Sequence, residues 1–246
     1  MKKLALILFV SLLALNSFAQ NLQTHYDMGK DRHFLTTTVE MFKPDKHGST
    51  FFFIDMNYGG PGVQGVSLAY WEISRAITLF KSPFALHLEY NGGFGQFKAT
   101  PYLNGAYQIN DAYLGGFEYS LNAKDFSRGI TFQAMYKNIR SKINGKNQNS
   151  FQTTVVWYMN FFNRKLTFDG FADFWKEDNG FIIGETPDGL PIFETTKFVF
   201  LSEPQLWYNF NKNFAVGSEF EFGYNFTGNP TSGFRLNPTA ALKYTF

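Results

Sequence analysis

The 246-residue chain contains no cysteine. That excludes a disulfide framework, thiolate nucleophiles and cysteine-ligated metals. An excess of charge is also missing. Removing Lys2 and Lys3 with an N-terminal leader takes the basic count from 22 to 20, against 20 acidic residues. A basic footprint for nucleic acid is therefore not expected. Beyond residue 15 no apolar run approaches the ~20 residues that a spanning helix needs. His25, His33, His47 and His87 lack the spacing of a zinc site, so neither metal nor cofactor is expected. Gly92-Gly93-Phe94-Gly95 is followed by no helical pattern and reads as a turn rather than a phosphate loop.

Aromatic residues, by contrast, are plentiful: 31 Phe, 13 Tyr and 4 Trp. The mean hydropathy is nonetheless −0.21. Many rings on a slightly polar chain fit strands with one apolar face and one polar face. The end of the chain is the clearest case. Phe234, Leu236, Pro238, Ala240, Leu242, Tyr244 and Phe246 share one parity, and Arg235, Asn237, Thr239, Ala241, Lys243 and Thr245 share the other. An amphipathic strand that ends on an aromatic residue resembles the closing strand of Gram-negative outer-membrane β-barrels. In that class the strand is also the assembly signal, here Leu242, Tyr244 and Phe246. A lipocalin or sandwich strand is the alternative.

At the other end, Lys2 and Lys3 precede an apolar run from Leu4 to Leu15 and the small residues Ser17 and Ala19. This is the pattern of a secretory signal cut after Ala19, before Gln20. The expected organisation is a signal over residues 1–19 and one outer-membrane domain over 20–246.

Alternation predicts an all-β, antiparallel, up-and-down transmembrane barrel of about twelve strands. They are 34–42, 50–58, 66–80, 84–91, 101–109, 113–122, 129–137, 151–162, 166–175, 197–210, 214–226 and 234–246. Residues 22–28 form either a thirteenth strand or a segment in the lumen. Connections at 163–165 and 211–213 are short, whereas 138–150, 177–195 and 227–233 are long. That matches short periplasmic turns and long outer loops. The 81–83 connection is short where this count demands an outer loop.

Residues 21–58, with Tyr26, Asp27, Gly29 and Asp31, together with 65–75 and the final strand, carry a family likeness. They resemble an uncharacterised family of Gram-negative outer-membrane proteins that is similar to the Tsx-like nucleoside-specific channel-forming proteins. The resemblance implies residence in the cell outer membrane, among its lipid and lipopolysaccharide, after assembly by the barrel assembly machinery. It also implies passive diffusion of small polar solutes such as nucleosides.

A charge facing lipid at mid-bilayer costs about 2–4 kcal/mol for Lys or Arg, so the polar parity of each strand is assigned inward. This gives Glu40, Asp55, Asn57, Glu72, His87, Glu89, Glu118, Gln133, Lys137, Asp169, Asp173, Glu203, Glu219, Glu221, Arg235 and Lys243. Phe51, Phe53, Trp175 and Trp207 are the inward rings. Acidic rings favour cations, and apolar walls with a few polar groups suit a small-molecule site. The same residues could instead brace a packed lumen, with the rings as plain filling. Asp169 and Asp173 stand roughly 13 Å apart by strand rise, beyond the spacing of a glycosidase pair. A solute channel is the leading function. The alternatives are a lipid-modifying barrel enzyme using Ser67, Ser74, Ser218 or His87, and a structural barrel that binds through loops 138–150 and 177–195.

Overall fold

A computed structural model describes residues 20–60, 62–141 and 145–246. The expected signal over residues 1–19 lies outside the described residues. Among them the regular elements are thirteen strands. These are β1 (Gln20–Asp27), β2 (Leu35–Asp45), β3 (Gly48–Tyr58), β4 (Val66–Thr78), β5 (Phe84–Thr100), β6 (Leu103–Asn122) and β7 (Arg128–Arg140). Then follow β8 (Gln148–Phe161), β9 (Leu166–Glu185), β10 (Pro191–Ser202), β11 (Gln205–Asn209), β12 (Phe214–Tyr224) and β13 (Phe234–Thr245).

All pairings are antiparallel, and each of β10 and β11 lies between β9 and β12. They are two halves of one barrel strand, interrupted at Glu203 and Pro204. Proline has no N–H to give the ladder. Here the chain bends around it, with Glu203 N donating to Phe171 O at 3.1 Å. Gly170 makes room, since a Cβ there would come within 2.5 Å of Glu203 O. The barrel therefore has twelve strands. β1 pairs with β13 from Asn21↔Thr245 to Asp27↔Thr239, and the sheet closes without an edge.

The strand count agrees with the sequence pattern, but the strands are partly different ones. Residues 22–28 belong to β1, whereas 101–109 and 113–122 fuse into the single strand β6. Asn110-Asp111 reads as turn chemistry. In the barrel it is continuous strand, and a register shift between Asn91 and Gly93 on β5 absorbs the irregularity. The turn is at Pro101-Tyr102. Gly92–Gly95 is likewise no turn but the middle of β5. A Cβ at Gly95 would meet the Tyr107 ring at 2.2 Å, so the missing side chain lets that ring lie across the neighbouring strand.

Including β1 also removes the anomaly at 81–83. Both described ends of the chain lie on one rim, where Phe246 N donates to Gln20 O at 3.0 Å. The 81–83 connection falls on this terminal rim with the other short turns. The loop rim is more ordered than its composition suggests. β9 continues to Glu185 and β10 starts at Pro191, so the expected 177–195 loop shrinks to 186–190. The 138–150 loop shrinks to 141–147. Strands β5, β6 and β9 have 17, 20 and 20 residues. A tilted spanning strand needs about 9–11, so the β5–β6 and β9–β10 hairpins project past the loop rim.

The final strand presents Leu236, Leu242, Tyr244 and Phe246 outward and exposed. Phe246 packs edge-on against Tyr244, with ring centroids 5.3 Å apart. Replacing Phe246 with Ser should lower the amount of folded barrel recovered in the membrane fraction. Conductance per folded molecule should stay unchanged. Wild-type amounts of heat-shiftable barrel on a gel would contradict the assembly role.

Candidate functional site

Contacts that skip strands identify the inner face. His25 on β1 has its ring centroid 5.9 Å from that of Trp207 on β11. Lys243 on β13 places Nζ 3.9 Å over the Trp207 ring and 3.9 Å from Asp169 Oδ2 on β9. These strands are not ladder neighbours, so the side chains meet through the lumen. The parity they define is the polar one. In β1, Gln23, His25 and Asp27 are buried while Leu22 and Tyr26 are exposed. In β13, Asn237, Thr239 and Ala241 are buried while the alternate residues face out.

Period-two alternation carries the residues expected inside onto this face. Glu40 accepts from Asn21 Nδ2 at 2.9 Å. Asp55 accepts from Thr38, and Asp173 from Thr154. Glu219 accepts from Gln205 Nε2 at 2.6 Å. Lys137 Nζ donates to Gln152 Oε1 at 2.8 Å and sits 4.3 Å over the Trp175 ring. Trp175 donates to Glu177 at 2.8 Å. Phe51, Phe53 and Tyr70 form a chain of rings with successive centroids 6.0 Å apart. Tyr70 OH donates to Glu72 at 2.6 Å. The charged neighbours of Glu203 are Glu219, Glu221, Asp55 and Glu72, which brings acids from facing walls into one zone.

Most of these hydrogen bonds join adjacent strands: β1 to β2, β2 to β3, β7 to β8, β8 to β9 and β11 to β12. The polar side chains thus lie along the wall. Contacts that skip strands are fewer: Lys137 on β7 over the Trp175 ring on β9, Gln133 on β7 with His87 on β5 at 3.4 Å, and a group around Trp207, which is fully buried. Its ring lies over Gly217, where a Cβ would come within 2.5 Å of it. From there it reaches His25 and Lys243.

His87 is held between two carboxylates. Nδ1 lies 2.9 Å from Glu118 Oε2, and Nε2 lies 3.0 Å from Glu89 Oε2. Gln133 donates to Glu118 at 3.3 Å. With both ring nitrogens engaged, His87 has none left to serve as base for Ser74, which lies opposite Glu89. Ser67 Oγ donates to Asn57 O, and Ser218 Oγ to Thr239 O. The serines considered for lipid hydrolysis are therefore not brought to a base.

One cation has a role that the residue pattern does not announce. Arg32, in the first loop, forks onto Glu221 with both contacts at 2.9 Å. It also donates to Asp27 Oδ2, Gly228 O and Asn229 Oδ1, each at 3.2 Å. Asn237 Nδ2 completes the cluster, at 2.8 Å from Glu221 and 3.0 Å from Asn229. Burial alone lowers the Arg32 pKa, but the Glu221 and Asp27 carboxylates outweigh it and raise the value above its ordinary one. Glu221 is thus partnered by Arg32 and not by Arg235, which pairs with Asp31 at 3.4 Å. Lys243 pairs with Asp169. Arg32 and Glu221 are 189 residues apart. Only the closure of the barrel brings them together.

The Arg32 and Glu221 side chains are 16% and 11% exposed. Removing one member of so buried a pair costs about 3–5 kcal/mol, because the other charge is left uncompensated. Arg32→Ala should therefore lower the denaturant midpoint in detergent strongly, and the double change Arg32→Met with Glu221→Leu much less. Equal losses in the two variants would contradict this account of the cluster.

Residues 19–246 match the family model described as "Domain of unknown function (DUF5020)". No curated protein matches the chain. Among solved structures the chain is similar to the NanC porin, with a TM-score of 0.54 and 11% identity over 93% of this chain and 100% of that one. The KdgM porin in complex with disordered oligogalacturonate gives a TM-score of 0.49 and 10% identity, over 93% and 99% of the two chains. The Acinetobacter baumannii outer membrane protein Omp33 gives 0.43 and 12%, over 93% and 98%. At such identities the likeness to NanC is one of fold.

Proposed function

We propose that this chain, which belongs to the DUF5020 family, is an outer-membrane channel for passive diffusion of small polar solutes. The observation that carries the reading is the direction of the interior hydrogen bonds. Most of them run along the wall between neighbouring strands, which supports polar groups that line the lumen over polar groups that brace it. The outer face is apolar and the inner face polar, as a lipid-embedded, water-filled barrel requires, and the inner charged groups here are mostly acids. Likeness to the NanC porin fold supports the same reading. The chain reaches the membrane after loss of residues 1–19, with the barrel assembly machinery as its partner. It then resides among lipid and lipopolysaccharide.

The solute class follows from the lining. Acids from β3, β4, β9 and β12, with Glu203 at the break between β10 and β11, outnumber Lys137 and Lys243 at mid-barrel, and acidic rings disfavour anions. Rings of Phe53, Tyr70 and Trp175 stand beside carboxylates and amides. A nucleoside offers an aromatic base to stack and hydroxyls to donate, and carries no negative charge. It is the solute we assign.

Planar-bilayer recordings test the reading. Single-channel steps with a reversal potential favouring cations are expected. Asp173→Asn combined with Glu203→Gln should shift that potential toward zero, and added nucleoside should lower the current. Absence of conductance above background would overturn the channel. Anion preference would overturn the acidic lining, and indifference to nucleoside would overturn the solute.

A further inference from the structure

The two rims of the barrel solve the same turn problem with different residues. At the loop rim the left-handed backbone positions are filled mainly by glycine: Gly59, Gly62, Gly65, Gly145, Gly189 and Gly233. Among the described residues Asn225 is the single non-glycine of this kind there. At the terminal rim the same conformation is taken by Phe80 (φ 53°), Lys81 (φ 54°), Phe126 (φ 51°), Phe162 (φ 51°), Asn163 (φ 55°) and Arg164 (φ 64°). A bulky residue at positive φ is strained, and tight hairpin turns normally use Asn, Asp or Gly there.

Burial does not repay the strain. Phe80 is 96% exposed, Phe162 75% and Phe126 63%. Phe210, in the fifth turn, and the terminal Phe246 are each 59% exposed. Neither backbone preference nor the core therefore calls for phenylalanine at these sites. Strain kept at a place with no structural return is the mark of a functional site.

Each of these turns also carries an exposed cation. Lys46 lies in the first, Lys81 in the second and Lys124 in the third, while Arg164 and Lys212 serve the fourth and fifth. Among the described residues none of the five takes part in a salt bridge. The acids of this rim are engaged locally. Asp45 pairs with Arg75 at 2.6 Å, and Asp125 accepts from Ser127 N at 3.1 Å. The rim thus combines exposed phenylalanines with exposed cations that stand outside any salt bridge among the described residues.

We propose that this rim is a binding belt for the headgroups of anionic phospholipid. The rings enter the acyl boundary, as aromatic girdles do. The adjacent ammonium and guanidinium groups then stand at the depth of the lipid phosphates, where each cation gains from a negative surface. The single occupant consistent with both halves of the pattern is a lipid with an apolar tail and a net negative headgroup. The inference rests on the membrane reading above but not on conduction.

Purified protein folded into vesicles of phosphatidylcholine alone, and of phosphatidylcholine with phosphatidylglycerol, provides the test. Insertion in both is reported by the heat-shifted gel band. Melting temperature and the phosphatidylglycerol retained in mild detergent report the belt. Wild type should melt higher in the anionic vesicles and retain phosphatidylglycerol. Raised salt should erase the difference, because exposed charges are screened. Replacing Lys81, Lys124, Arg164 and Lys212 by Ser should cut retention several-fold while insertion into phosphatidylcholine persists. If that variant fails to insert, the salt titration of wild type decides. Equal melting and retention in the two vesicle types, or a difference that salt leaves intact, would overturn the belt. Failure to insert into either vesicle would instead count against the membrane reading.

Discussion

Seven residue pairs, from Asn21↔Thr245 to Asp27↔Thr239, join β1 to β13, and the remaining strands depend on that seam. Inside a bilayer an unpaired N–H or C=O has no water to turn to, so an open sheet edge is not tolerated. Closure satisfies the backbone with bonds internal to the chain and replaces the disulfides that a chain without cysteine cannot form. It also creates an inside. Once β1 meets β13, residues remote in sequence share a lumen, and Arg32 finds Glu221. That cluster of Asp27, Arg32, Glu221, Asn229 and Asn237 ties the first loop to the last across the seam itself.

The two faces of the sheet then diverge in chemistry for one reason. Period-two alternation sends every second side chain to the opposite environment. Outward positions such as Leu22, Ile73, Phe117 and Leu242 are exposed and apolar. Inward positions such as Asp55, Asp173 and Glu219 hydrogen-bond to a neighbour on the next strand. An arrangement along the wall satisfies carboxylates without filling the bore, whereas a plug would need bonds that skip strands. The side around Trp207, where His25 and Lys243 meet it across skipped strands, is filled by one large ring lying over Gly217.

Much of this was legible in the residues. Parity in 234–246 and 84–91 assigned the inner and outer faces, and the inward set from Glu40 to Lys243 followed from it. The misreadings share a physical cause. Asn110-Asp111 and Gly92–Gly95 carry turn chemistry, but long hairpins that leave the bilayer need not be apolar and can absorb a bulge. β1 was ambiguous because its inward residues, Gln23, His25 and Asp27, are all polar and only Leu22 and Tyr26 mark its outer face. Partners fixed by register, such as Arg32 with Glu221, Lys243 with Asp169 and His87 with two glutamates, leave no local trace in the chain. They follow from strand pairing, which a single sequence does not specify.

The central claim is that one parity of each strand faces water inside a closed wall and the other faces lipid. A chain without native cysteine allows a clean test. Single cysteines at the Asp173 and Glu203 positions, and at the adjacent outward position Phe174, would be exposed to a membrane-impermeant, water-borne thiol reagent after insertion into vesicles. The account predicts modification at 173 and 203 and protection at 174. Modification at 174 with protection at 173 and 203, or protection at all three, would contradict it.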